Sequence, residues 1–405
     1  MDLDELLALG TDAGKNALAA AELLPGGDPL AAAEALRAQG FPPALASAAL
    51  TQAVLRRKAD GKFGADAPAM LFTRAGLEQA TRSAVATRRA ARLAAGGVRS
   101  VADLGCGIGA DTIAFARAGL RVHAVDASPV TAMIAAANVK NLSLDHLVRL
   151  EARDATDVSL AEVDAVFCDP ARRTSGGRRV FDPRAYSPPW DFVVGLAAAK
   201  PRTVLKLAPG IDHALLPAGA EGEWVSVDGD VVEAAAWCGP LAMAPRRATV
   251  LKGGPGAYSV HELTGTGAEQ APVGLVGAYF YDPDGAVVRS HLVAEFAAGL
   301  DGTIADPTIA YVYAPKPVET PFGRCYEVVE RLPIALKRLR AAVRALDIGA
   351  LTILKRGSAL DVEELRKSLR LSGTRTAVLA LTRVAGEPAA LLLRTVDGTG
   401  AAAGR

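Results

Sequence analysis

The chain's 405 residues are 50% apolar and 22% charged, a balance that supports two or three packed domains and excludes a mostly disordered chain. With 45 basic and 44 acidic side chains the formal net charge is +1, which excludes a whole-chain polycation but leaves local basic faces open. Cys106, Cys168, Cys238 and Cys325 form no CxxC pair, and His123, His146, His213, His261 and His291 show no ligand spacing, so neither a disulfide framework nor a metal site is expected. The opening MDLDELLALG lacks the basic-then-apolar build of a signal peptide, and no run of about 18 apolar residues occurs. The expectation is a reduced, cytoplasmic protein without a membrane span.

Residues 1–95 read as helices rich in Ala, Leu and Arg, broken at Pro25–Pro29 and again at Gly40–Pro43. Between Arg56 and Arg92 nine basic residues stand against three acidic ones, which reads as a solvated helical face or a ligand-facing surface. From residue 97 short apolar runs alternate with helix-period segments. Val98–Leu104, Arg121–Val125, Val163–Cys168 and Thr203–Leu207 read as strands; Ala110–Arg117, Pro129–Asn141 and Phe192–Ala199 read as helices. This alternation predicts a parallel sheet of βαβ units. Glu223–Val227 and Val231–Trp237 predict a closing hairpin that puts an antiparallel strand at the sheet edge. Arg246–Gly267 reads as a Gly-rich connector. Ala278–Pro317 is a short mixed segment, with strands at Ala278–Tyr281 and Ile309–Tyr313 and a helix at His291–Ala298. A last β/α piece has helices at Leu332–Arg344 and Val362–Leu369 and strands at Leu351–Lys355, Thr376–Thr382 and Ala390–Arg394.

The informative stretch is Val101-Ala-Asp-Leu-Gly-Cys-Gly-Ile-Gly-Ala110, between a strand and a helix. Gly105, Gly107 and Gly109 remove side chains where a ligand must touch backbone, and the helix behind them offers free N–H groups. By itself this is a weak match to a dinucleotide fingerprint. Three acids discriminate. Asp103 stands two residues before the first glycine, where a pyrophosphate would be repelled but an ammonium welcomed. Asp126 ends the next strand, where a carboxylate can accept from ribose hydroxyls. Asp154, beside Ala155, stands where a third strand should end and can accept from an adenine amino group. Acids at successive strand ends suit a cationic nucleoside such as S-adenosyl-L-methionine; the bland alternative is a tight turn with acids capping helices.

With Asp169-Pro170 following in order, Asp103-Leu-Gly-Cys-Gly-x-Gly109, Asp126 and Asp154 resemble the class I S-adenosylmethionine-dependent methyltransferases. Arg56-Arg-Lys-Ala-Asp-Gly-Lys-Phe63, Leu77-Glu-Gln-Ala-Thr81 and Asp169-Pro-Ala-Arg-Arg173 more narrowly resemble bacterial members with a C-terminal THUMP-like domain, which Leu351-Thr-Ile-Leu-Lys-Arg-Gly357 fits. The resemblance implies an α/β fold: a helical N-terminal domain over 1–95, a Rossmann-like methyltransferase core over 96–245, a ferredoxin-like module over 270–317 and a THUMP-like domain over 318–395. THUMP domains act in RNA modification, so the resemblance also implies an RNA substrate.

The loop Cys168-Asp-Pro-Ala-Arg-Arg173 is expected beside the methyl group. Asp169 is placed to bind an acceptor N–H or act as base, Arg172 to hold a substrate phosphate or carboxylate, and Lys206 to point in from the next strand end. The Asp/Asn-Pro-Pro-aromatic pattern of exocyclic amine methyltransferases is missing. Lys206-Leu-Ala-Pro209 lacks the cysteine of the 5-methyluridine enzymes, so a ring nitrogen or a hydroxyl remains as acceptor. Arg172–Arg202 carries seven basic residues against two acidic ones, interleaved with Phe181, Tyr186 and Trp190; Arg324–Arg375 carries twelve against six. Arg172, Arg173, Arg178, Arg179, Lys355 and Arg356 are the candidate RNA contacts. The alternatives are a small-molecule or protein methyltransferase and a non-catalytic RNA-binding protein with a vestigial cofactor pocket.

Overall fold

The computed structural model describes residues 3–25, 27–170, 187–254 and 257–396. They divide into two compact units, Met1–Ala220 with Ala235–Met243 and Gly253–Tyr258, and Glu221–Ala234 with Ala244–Lys252 and Ser259–Arg405.

The first unit opens with helices α1 (Leu3–Gly10), α2 (Asp12–Leu23), α3 (Pro29–Ala38), α4 (Pro43–Phe63), α5 (Arg74–Gln79) and α6 (Ser83–Ala95). Their starts follow from local chemistry. Thr11, Asp28 and Thr73 each accept a hydrogen bond from the first turn of the helix they precede, and Pro29 supplies a preset φ at the head of α3. The βα alternation then runs β1 (Ser100–Leu104), α7 (Ala110–Arg117), β2 (Arg121–Asp126), α8 (Pro129–Asn141), β3 (Val148–Ala152), β4 (Ala165–Cys168), α9 (Trp190–Ala199) and β5 (Thr203–Leu207). Strands β1 to β5 pair in parallel in the order β3-β2-β1-β4-β5. Strands β1, β4 and β5 are buried along their whole length, because helices cover both faces of a parallel sheet. The core beside them gathers Leu93, Val101, Phe115, Ala124, Phe167 and Trp237.

The next strands are β6 (Glu221–Val227), β7 (Asp230–Trp237), β8 (Arg246–Gly254) and β9 (Ala257–Gly265), and the full sheet order is β3-β2-β1-β4-β5-β7-β6-β8-β9. This corrects two expectations. The hairpin of β6 and β7, turned at Asp228 (φ 52) and Gly229 (φ 94), does not form the sheet edge, because β8 and β9 extend the sheet beyond β6. Nor is Arg246–Gly267 a connector. Gly253 and Gly254 form the end of β8, and Arg247–Leu251 is a buried run. Counting glycines over the whole stretch hid that placement.

The second unit continues with β10 (Tyr279–Pro283), α10 (Gly285–Arg289), α11 (Val293–Ala298), β11 (Thr303–Ile304), β12 (Val312–Ala314), β13 (Gly323–Leu332), α12 (Leu336–Ala345), β14 (Ile348–Lys355), α13 (Val362–Leu369), β15 (Arg375–Val384) and β16 (Glu387–Thr395). One seven-stranded sheet, β11-β12-β10-β13-β16-β15-β14, joins the 270–317 stretch to the 318–395 stretch. Leu339, Val343, Leu365 and Leu369 of α12 and α13 pack on Leu379, Leu381 and Leu392; a second cluster holds Phe280, Tyr311, Tyr313 and Tyr326. Strand β13 is a strand that periodicity missed, because its charged residues and a register shift between Val328 and Glu330 break the alternation.

Candidate functional site

The glycine-rich loop owes its path to its glycines. Gly105 (φ 85), Gly107 (φ 56) and Gly109 (φ 91) all hold backbone conformations that side chains disfavour. The N–H groups of Gly105 and Cys106 both donate to the Val125 carbonyl, at 3.0 and 2.9 Å, tying the loop to the end of β2. A Cβ on Gly105 would stand 2.9 Å from the Asp169 carbonyl oxygen, so the loop and the end of β4 touch there. A Cβ on Gly107 would meet nothing within 4 Å among the described residues, so that flank of the loop is open to them. Asp126 stands beside it: Oδ2 accepts from Gly107 N–H at 3.1 Å and Oδ1 from Ser128 N–H at 2.9 Å. Burial raises its pKa, and those two backbone donors pull it back. Asp154 is exposed. Its Oδ1 accepts from the Thr156 N–H at 2.9 Å and hydroxyl at 2.7 Å, which lowers its pKa, while Ala155 is buried beside it.

Asp103 is fully buried in β1. Oδ2 accepts from the Thr112 hydroxyl on α7, and Oδ1 has no donor among the described residues. Burial pushes its carboxyl up to about 8; the negative Asp111 and Asp169 add to the rise, while the Thr112 hydrogen bond and Arg89 oppose it.

Asp169 and Lys206 come together at the ends of β4 and β5. Asp169 N–H donates to the Leu104 carbonyl at 3.1 Å, and Lys206 Nζ donates to Asp169 Oδ2 at 2.6 Å. The lysine side chain is 7% exposed and the carboxylate 27%, so the pair has a buried root and an accessible tip. Cys168 is buried next to it, and burial drives its thiol far up. Arg172, Arg173, Arg178 and Arg179 lie outside the described residues. In the second unit, the exposed Lys355 donates to the Leu360 carbonyl at 3.0 Å. Arg356 is engaged internally: it donates to Asp282 Oδ1 from Nε and Nη2, at 3.2 and 2.8 Å, and stands 5.2 Å over the Tyr311 ring.

Much of the basic stretch in the N-terminal helices turns inward. Arg56 donates to the Met70 carbonyl at 2.8 Å. Lys62 Nζ donates to the carbonyls of Leu77, Glu78 and Ala80 at 2.7, 2.9 and 3.1 Å; burial lowers its pKa to about 8, with Arg82 and Lys206 adding to the drop and Glu78 opposing it. Arg92 stacks 3.9 Å over Trp237 and donates to the Leu241 carbonyl. Two amides that sequence reasoning missed hold the intervening chain. Gln52 exchanges hydrogen bonds with Phe72 N–H and C=O, and Asn138 accepts from Leu71 N–H and donates to the carbonyls of Leu71 and Ile108. Asn138 thereby ties residues 70–72 to the glycine-rich loop. Among the described residues no helix is long and apolar enough to cross a membrane, and no group of three or more His, Cys, Asp or Glu is placed to hold a metal.

Residues 101–174 match a methyltransferase domain family, residues 323–395 a THUMP domain-like family, and residues 2–59 a domain of unknown function. Two relatives in Mycobacterium tuberculosis, from strains CDC 1551 / Oshkosh and ATCC 25618 / H37Rv, are each named an uncharacterized S-adenosylmethionine-dependent methyltransferase. Each is 36% identical over 353 residues, 82% of this chain and 91% of the relative. A crystal structure from Porphyromonas gingivalis W83, of a protein provisionally assigned as a methyltransferase, has a TM-score of 0.69 at 20% identity; it covers 98% of this chain and 100% of its own. The chain belongs to the S-adenosylmethionine-dependent methyltransferases, and S-adenosyl-L-methionine is its cofactor. The residues fit that cofactor: Asp103 Oδ1 is a buried acceptor without a donor among the described residues, and none of those residues fills the flank of Gly107 against its bare backbone.

Proposed function

We propose that this methyltransferase acts on RNA, at a ring nitrogen or a hydroxyl, and that Asp169 and Lys206 form its acceptor side. The observation that carries this reading is the Asp169–Lys206 pair, rooted beside the glycine-rich loop. When bound, S-adenosylmethionine supplies an electrophilic methyl group. The chain's own task is to orient the acceptor in line and to take its proton. Lys206 holds Asp169 Oδ2, which leaves Oδ1 to accept a hydrogen bond from the acceptor N–H or O–H. With the cofactor bound, Asp169 Oδ1 would orient the acceptor and take up the proton it gives up on methylation. A cysteine adduct has no support, since Cys106 and Cys168 are buried with their thiols pushed up.

In this reading Asp103 is the counter-charge to the cofactor's ammonium, Gly105, Gly107 and Gly109 give it bare backbone, Asp126 takes the ribose hydroxyls, and Asp154 with Ala155 faces the adenine. RNA as substrate class is supported by the THUMP-like match over 323–395, since THUMP domains act in RNA modification, and by the basic surplus of 324–375. Within that stretch the exposed Lys355 is the better phosphate contact; Arg356 is already paired. The division into 1–95, 96–245, 270–317 and 318–395 belongs to the same proposal.

Nucleoside mass spectrometry of total RNA from cells with and without the gene tests the reading. Loss of one methylated nucleoside supports it. An unchanged nucleoside profile beside methyl transfer to a small molecule or a protein overturns the RNA assignment.

A further inference from the structure

The N-terminal helices take hold of the glycine-rich loop through a segment that the transfer step does not use, Leu71 to Thr81. Its first residue is tied to the loop by a buried amide: Asn138 accepts from Leu71 N–H at 2.6 Å and donates to the Ile108 carbonyl at 2.9 Å. Its last residue, Thr81, donates from Oγ1 to Asp111 Oδ2 at 2.6 Å. Asp111 stands in the first turn of α7, where the loop runs into the helix, and is also ion-paired with Arg89 of α6. Between these ties lies α5, fixed at both ends. Thr73 Oγ1 accepts from Gly76 N–H at 2.9 Å at its head, and Lys62 Nζ gathers the carbonyls of Leu77, Glu78 and Ala80 at its foot. Two stretches singled out in the sequence, 56–63 and 77–81, thus meet on this helix.

Gly76 shows what the helix is held against. It sits inside α5 without a left-handed φ, and glycine forms helix less readily than alanine, so backbone conformation gives no reason for it. Close approach does. A Cβ here would stand 2.5 Å from Ile108 Cγ2 and 2.7 Å from Thr73 Oγ1. Ile108 lies between Gly107 and Gly109, is 3% exposed, and packs with Phe72, Leu77, Ile113 and Ile134. Its Cγ2 hangs on a branched Cβ in a close-packed core and has little freedom to swing aside, so a push on it reaches the loop backbone.

We propose that α5 is a brace for the cofactor loop: Gly76 and Ile108 are positioning residues whose close contact sets where the Gly105–Gly109 backbone stands, and so how tightly the cofactor binds. This rests on the reading of that backbone as the cofactor's seat. By it, helices that precede the βα core contribute to cofactor affinity without touching the cofactor.

The test is a double-mutant cycle, read by calorimetric titration of S-adenosylhomocysteine into the full chain with urea unfolding without ligand measured beside it. Gly76→Ala drives a methyl group against Ile108 Cγ2, and affinity is expected to fall by roughly tenfold. Ile108→Ala removes Cγ2 and keeps only the Cβ, 3.8 Å from the new methyl, which is ordinary contact. With alanine at 108, Gly76→Ala is therefore expected to leave affinity unchanged. Ile108→Val keeps Cγ2, and with valine at 108 the loss is expected to persist. Wild-type affinity in Gly76→Ala overturns the inference, whether or not its urea midpoint falls, because the contact is then purely structural. A loss of the same size with alanine at 108 also overturns it, by tracing the effect to the Thr73 cap. If Gly76→Ala does not fold, Ile108→Ala alone decides: with the contact gone, affinity is expected to fall several-fold, and wild-type affinity there overturns the brace. Gly107→Ala separates the two layers. Wild-type affinity in that variant would refute the loop as the cofactor's seat, and this inference with it; weakened binding there beside wild-type affinity in Gly76→Ala would refute the brace alone.

Discussion

Replacing Gly107 by alanine locates the cofactor with one methyl group. Gly107 holds φ 56, and none of the described residues lies within 4 Å of where a Cβ would stand. The fold therefore loses only the cost of an L-residue in a left-handed conformation, about 1–2 kcal/mol. Gly105 is the contrast. It holds φ 85 and its Cβ would stand 2.9 Å from the Asp169 carbonyl oxygen, so backbone strain and a backbone collision add to about 2–5 kcal/mol. A methyl on the open flank of Gly107 takes up space that a ligand pressed against the bare backbone needs, with a binding penalty of about 1–3 kcal/mol, or roughly five- to 150-fold. Urea unfolding without ligand measures the first quantity, and calorimetric titration with S-adenosylhomocysteine the second. Gly107→Ala is expected to be mildly destabilised and clearly impaired in binding, and Gly105→Ala strongly destabilised. If Gly107→Ala binds S-adenosylhomocysteine as the wild type does while its stability falls as stated, the cofactor does not lie on that flank.

Asp126→Ala leaves the Gly107 and Ser128 N–H groups without their acceptor and removes the proposed ribose contact; S-adenosylhomocysteine affinity is expected to fall by about 1–3 kcal/mol, read by the same titration. Asp169→Ala should reduce the single-turnover methyl-transfer rate far more than cofactor affinity, and equal losses in both would reassign Asp169 to cofactor holding. Asn138→Ala strips partners from Leu71 N–H, Leu71 C=O and Ile108 C=O at once, for an expected destabilisation of about 2–4 kcal/mol in urea unfolding. Asp103 is protonated in the folded chain up to about 8 but only up to its ordinary value of 3.8 when unfolded, so folding takes up a proton between those values and stability drops as pH rises through them. Asp103→Asn should flatten that part of the stability–pH curve, and a curve of wild-type slope would show that another group causes it.

The glycine-rich loop and its flanking elements were legible because they rest on local rules. Ala110–Arg117, Pro129–Asn141 and Thr203–Leu207 fold over the spans their periodicity predicts, and glycines at 105, 107 and 109 each meet a backbone conformation that requires them. The convergence of Asp169 and Lys206 could be expected once both were placed at strand ends of a parallel sheet, although the 2.6 Å contact needed the fold.

What the chain alone determined, then, is the sequence of strands, turns and helices around Asp103 and Asp126, since each depends on the burial and conformational preferences of neighbouring residues. Tertiary structure decided the rest. It set β7 between β5 and β6, made strands of residues 246–265, and turned Arg56, Lys62, Arg89 and Arg92 from an apparent charged face into internal clamps. Arg92 meets the Leu241 carbonyl 149 residues away, and Arg89 meets Asp111 on another helix. A charge run reports its own composition; whether it faces water or a buried partner depends on which distant groups the fold brings to it.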